Sequence, residues 1–116
     1  MLEGRTRFGA AMIARVWTAR ATPAGSIAYR DHLERRVLPI LRSLDGYQGA
    51  SLLIRADGEE VEILVITRWR SPEAIRGFAG DDLERAVVAD DAAVLLTEWD
   101  QLVRHYDVSL NDEPSL

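Results

Sequence analysis

The chain contains neither cysteine nor lysine. Without a thiol there is no disulfide, no thiolate nucleophile and no cysteine-ligated iron–sulfur cluster. All 14 basic residues are arginine, which excludes every mechanism that needs a lysine Schiff base, pyridoxal phosphate chemistry among them. Histidine is scarce: His32 and His105 stand far apart with no ligand spacing around them, which argues against a metal site. Long apolar runs are absent as well, none approaching the roughly 20 residues that cross a bilayer, so no membrane partner is expected. No apolar stretch with a small-residue cleavage site follows Met1, Arg5 and Arg7, and a soluble, cytoplasmic protein is the expectation. The formal charge is −5 and the arginines do not gather into a strip, which argues against nucleic acid. Gly77 and Gly80 form no phosphate-cradling pattern, so no nucleotide cofactor is implied.

What remains is an ordinary globular composition, 47% hydrophobic and 28% charged over 116 residues, enough for one domain. Residues 1–11 show no periodicity and read as a flexible extension. Met12 to Thr18 alternates as a first strand, with Ile13, Arg15 and Trp17 on one side and Ala14, Val16 and Thr18 on the other. Thr22 or Ser26 can cap the helix that follows. There Tyr29, Leu33, Val37, Ile40, Leu41 and Leu44 form an apolar stripe, Pro39 predicts a kink, and Asp45-Gly46 predicts the end. Tyr47–Arg55 and Val61–Arg70 read as an antiparallel hairpin about Asp57-Gly58. Ser71-Pro72-Glu73 opens a short helix through Phe78, and Gly80-Asp81-Asp82 is expected to restart a second piece to about Leu96. Glu98–Val108 alternates as the last strand, and residues 109–116 form a polar tail.

The order βαββαβ is ferredoxin-like: an α+β fold with a four-stranded antiparallel sheet and helices on one face. A solvated opposite face would be polar at alternate positions. Strand three instead has Val61, Ile63 and Val65 on one side and Leu64 and Ile66 on the other. A second copy of the same sheet would cover that face, so a homodimer through the sheet faces is expected.

Several segments together resemble a known family: Met12-Ile13-Ala14-Arg15-Val16-Trp17, the run from Val37-Leu38-Pro39 to Leu44-Asp45-Gly46-Tyr47-Gln48-Gly49, Val65-Ile66-Thr67-Arg68-Trp69-Arg70-Ser71-Pro72-Glu73-Ala74-Ile75, Phe78-Ala79-Gly80, Ala86-Val87-Val88 and Val103-Arg104-His105-Tyr106-Asp107-Val108. Over residues 12–108 the chain resembles the antibiotic biosynthesis monooxygenase domain of the dimeric α/β-barrel superfamily. The resemblance implies a small enzyme that oxidises a quinol- or anthrone-like aromatic without a conventional flavin or metal group. Trp69 matches the family's tryptophan. The family's asparagine is missing, since the sole asparagine is Asn111 in the tail, and Val16 and Trp17 stand in its place on strand one. The second helix carries Val87 and Val88 where haem-degrading relatives have a histidine, so haem degradation is not expected, and no cofactor is implied.

Each candidate residue carries a bland reading beside the functional one. His105 is a candidate catalytic base or polar partner, or a structural histidine bonded to the backbone. Trp69 is a candidate catalytic wall, and Trp17 a candidate substrate-binding surface, for a flat ligand; core filling is an equal expectation for Trp69 and the stronger one for Trp17. Tyr29 can reach a ligand or water. Arg15, costly to bury alone, either faces a polar cavity as a substrate-binding group or pairs with a carboxylate, the pairing being the stronger expectation. His32 reads as solvated surface. Three functions stay open: a cofactor-independent monooxygenase acting on a small aromatic, a non-catalytic binder of such a molecule, and a dimer whose cleft is filled by its own side chains. The cleft separates them.

Overall fold

A computed structural model describes residues 12–114; the expected extension over 1–11 lies outside them. Nine residues of alternating character form β1 (Ile13–Ala21), burying Ile13, Arg15, Trp17, Ala19 and Ala21 and leaving the intervening side chains half-buried. Thr22 caps α1 (Pro23–His32), its hydroxyl accepting the Gly25 N–H at 3.0 Å. The helix runs on through a π-helical turn, Leu33–Val37, into α2 (Leu38–Arg42). Pro39 has no N–H to give the carbonyl four residues back. The ladder loosens ahead of it, and Leu38 donates to Leu33 across five residues, so the expected kink is realised as a π-helical turn.

The chain then turns through Gly46 (φ +90°), where a side chain would strike Ala74, into β2 (Tyr47–Asp57). A tight turn at Gly58 leads back as β3 (Glu60–Trp69), the Asp57-Gly58 hairpin expected from the sequence. Ser71 caps α3 (Pro72–Ala79) at the Ala74 N–H. The sheet order is β2-β3-β1, with the last strand on the outer edge of β1. This is the ferredoxin-like antiparallel arrangement, with the helices on one face. Among the described residues no helix is long and apolar enough to cross a membrane.

Two expectations for the closing third are corrected. Residues 80–89 are not helical; helix reappears as a single turn, α4 (Asp90–Ala93). Their backbone is committed elsewhere: Ala86 donates to Gln101 and accepting Glu84 takes the Val103 N–H, at 2.8 and 2.7 Å, while Arg85 bridges Leu102. The last strand accordingly breaks in two, β4 (Glu98–Trp99) and β5 (Arg104–Asp107), both against β1. From Val16 to Ala19 is three steps along β1, but their partners Arg104 and Trp99 lie five apart, so two extra residues loop out to meet the 84–86 segment.

Two clusters pack between sheet and helices. One gathers Trp17, Ala19, Tyr29, Leu33, Ile63 and Val65, with Trp99 against it; the other gathers Ile13, Leu41, Trp69 and Ile75. On the opposite face Val16, Leu53, Leu64 and Ile66 form an apolar patch uncovered in the single chain. The alternation of β1 and β3 and the register between strands place them together.

Candidate functional site

A cavity of about 450 Å³ opens between the sheet and α1, within the range of small-molecule sites. Its floor comes from alternate residues of β1 and β3, Arg15 and Trp17 beside Val65 and Thr67. The helix wall supplies Tyr29, His32 and, from the π-helical turn, Leu33, Arg36 and Val37. A loosened turn of this kind often marks a functional wall, and here it bulges against the cavity. The far wall is the irregular segment Val87–Ala89 with Asp91 and Ala92.

Arg15 is 4% exposed. Its guanidinium donates to the carbonyls of Leu83 and, at 2.8 Å, Arg85, and to His105 Nε2 at 3.1 Å; it also lies 5.9 Å from the centre of the Phe78 ring. The expected carboxylate partner is corrected: among the described residues Arg15 forms no ion pair. The non-helical course of residues 80–89 brings backbone carbonyls within its reach instead. Burial lowers its pKa to about 10, so it stays charged near neutrality, a cation held by neutral partners.

Guanidinium has no acceptor, so His105 must accept at Nε2 and carry its proton on Nδ1. Burial first, and then the Arg15 charge, hold the imidazole below its usual pKa, with Glu84 opposing weakly. His105 therefore sits behind Arg15 and off the main lining, on the wall of a second cavity of about 320 Å³ with Ile13, Leu83 and Tyr106.

Trp17 lines the main cavity, donating its indole N–H to the Asp100 carbonyl at 2.9 Å. Tyr29 lies against it at 5.9 Å between ring centres, and burial pushes the phenol up to about 12. Trp69 is fully buried outside the lining. Its N–H reaches the Thr67 hydroxyl at 2.8 Å, and its ring stacks on Phe78 and meets Tyr47 edge-on; it backs the two lining residues Thr67 and Phe78. Arg15, Trp17 and Tyr29 are thus brought together at one cavity, while His105 and Trp69 stand one side chain behind it.

His32 corrects another expectation. It is half-buried on the lining, 6.0 Å from the Tyr29 ring, rather than solvated. It projects near the polar edge of the helix, and nothing in the sequence marked it for the lining. Thr67, Phe78, Arg36 and Asp91 also line the cavity without having been singled out.

Sheet order, one-sided helices and a cleft between α1 and the sheet define a ferredoxin-like α+β protein with a ligand-sized site. Residues 12–90 match the antibiotic biosynthesis monooxygenase family, and the chain belongs to that family. Two uncharacterised proteins from two strains of Mycobacterium tuberculosis are each 29% identical over 109 residues; the match takes 92% of this chain but 44% of theirs, so the chain spans about half the length of these relatives. Among solved structures, a Bacillus cereus protein named as an antibiotic biosynthesis monooxygenase superposes with a TM-score of 0.65 at 17% identity, over 91% of this chain and 99% of that one. A Streptomyces coelicolor monooxygenase in complex with nanaomycin D gives 0.57 at 18% identity, over 95% and 96%. A haem-degrading protein of M. tuberculosis gives 0.57 at 22%, over 90% and 99%. At these identities the superpositions establish the fold.

Proposed function

We propose that the protein is a cofactor-independent monooxygenase acting on a small quinol- or anthrone-like aromatic, and that it works as a homodimer joined through the open sheet faces. The observation that carries the reading is the 450 Å³ cavity, aromatic and apolar on its walls with the uncompensated Arg15 cation in its floor. A flat ligand lies against Trp17 and Tyr29, and Arg15 faces the oxygen that becomes anionic when the ligand loses a proton. Dioxygen then attacks the carbanion centre. For an anthrone, the ring CH₂ becomes C=O, one oxygen atom enters the product, and the other leaves as water with the two hydrogens. The substrate supplies the electrons. The far wall carries Val87 and Val88, which offer a haem iron no axial ligand from that side.

His105 acts through Arg15 as a positioning residue, and Trp69 acts through Thr67 and Phe78. Oxygen uptake on 1,8-dihydroxyanthrone tests this: His105→Ala lowers the rate at least about tenfold, a margin below the loss from deleting one stabilising donor. His105→Gln, whose carbonyl still accepts from Arg15, recovers most of it. Equal rates in wild type and His105→Ala would remove His105 from the reaction. A non-catalytic binder of the same molecules is the competing reading, favoured by the absence of His105 and Trp69 from the lining; ligand binding with no uptake above the spontaneous rate would establish it. The dimer is tested by sedimentation, where wild type runs as a dimer at micromolar concentration and Ile66→Arg as a monomer. A monomeric wild type would overturn the assembly.

A further inference from the structure

The lining of the main cavity is graded. Arg15, Trp17, Tyr29 and Thr67 are buried and form its deep end, whereas Arg36, Val87 and Asp91 are exposed and mark its mouth. Both ends carry a guanidinium. Neighbouring Arg35 is paired with Asp31 at 2.6 Å, but Arg36 has no ion-pair partner among the described residues. It projects from the π-helical turn one turn beyond His32, whose ring also lines the cavity. Against these stands one acidic lining residue, Asp91. In a protein of net charge −5, the charged part of this otherwise apolar lining is thus two arginines against one carboxylate, a balance that draws anions in and favours them once bound.

Resting on the reading that this cavity takes a small aromatic, we propose that its ligand is a two-ended acid: a phenolic or enolic oxygen at the deep end against Arg15, and a carboxylate at the mouth against Arg36, with His32 beside it. A planar guanidinium fork suits a carboxylate, which it can hold through two parallel hydrogen bonds. The rings between the two acidic ends lie along Trp17, Tyr29 and Val87.

The test uses oxidised probes that do not turn over, 1,8-dihydroxyanthraquinone and the same molecule bearing a 3-carboxylate, titrated by quenching of tryptophan fluorescence. Wild type binds the carboxylate about fivefold more tightly, the scale of a partly exposed ion pair. The advantage shrinks between low salt and about 0.5 M salt as the pair is screened. In Arg36→Ala the preference disappears. In Arg35→Ala, which removes the same charge one residue away and off the lining, it persists. Equal affinities in wild type, or a preference retained by Arg36→Ala, would overturn the two-ended assignment while leaving the cavity reading intact. Failure of both probes to bind would overturn the cavity reading, and this assignment with it.

Discussion

Trp17 and Trp69 lie on neighbouring strands, point to the same face of the sheet, and meet opposite fates. Around Trp69 the space is filled: Tyr47, Phe78, Leu41 and Ile75 close over it and leave no exposed surface. Around Trp17 the packing stops short. The helix carries Tyr29 and Leu33 over it, but the segment expected to continue as helix is irregular instead, and a cavity stays open. One end of the fold is packed solid and the other is left hollow, with Arg15 at the boundary.

The largest test of that contrast is a pair of truncations. Trp69→Ala should destabilise the fold by about 3–5 kcal/mol, the usual result of emptying a closed aromatic site. Trp17→Ala, whose side chain already borders open space, should cost visibly less. Denaturant midpoints at unchanged slope measure both, and equal losses would mean that the Trp17 end is as tightly packed as the other.

A smaller effect probes the boundary. His105 has a folded-state pKa below its unfolded value of about 6.5, so the unfolded chain binds the proton more readily. The stability this confers is present above about pH 6.5 and is lost as pH falls through the folded value. Denaturant midpoints at pH 7.5 and 5 should therefore separate more for wild type than for His105→Gln. Identical pH slopes would place His105 in an environment no drier than water.

The smallest effect should be the same at both ends. Thr22 caps the helix over the hollow end and Ser71 the helix over the filled one, each hydroxyl taking one backbone N–H. Replacing either by Ala should cost about 1 kcal/mol. Matching losses, read by thermal unfolding, would locate the difference between the ends in packing rather than in how the helices start.

Much of this was legible in the chain because it is local. The Asp57-Gly58 turn, the two caps, the alternation of β1 and the interruption at Pro39 each depend on a few adjacent residues. Residues 80–89 misled because Ala86-Val87-Val88 suits a helical face as well as an extended wall. The deciding contacts, to Gln101, Leu102 and Val103, come from a strand with two residues to spare. Arg15 misled for a related reason: a buried cation suggests a carboxylate, which a sequence displays, whereas its partners are carbonyls, which every residue possesses. At the candidate site Arg15, Trp17 and Tyr29 were readable as an alternating pair on a strand and an aromatic on a helix stripe. His32 was not, because its place on the lining depends on how far a loosened helix leans over the sheet.

The carbonyl cradle around Arg15 carries an evolutionary consequence. Hydrogen bonds to main-chain oxygens make no demand on the side chain that bears them, so position 85, whose own side chain is exposed, is free to drift while Arg15 is not. In a library randomised at both positions and selected for folded protein, position 85 would accept nearly any residue compatible with an extended backbone. Position 15 would accept little besides arginine: the two carbonyls and the imidazole are reached from two separate nitrogens of one planar fork, whereas lysine gathers its three donors on a single nitrogen.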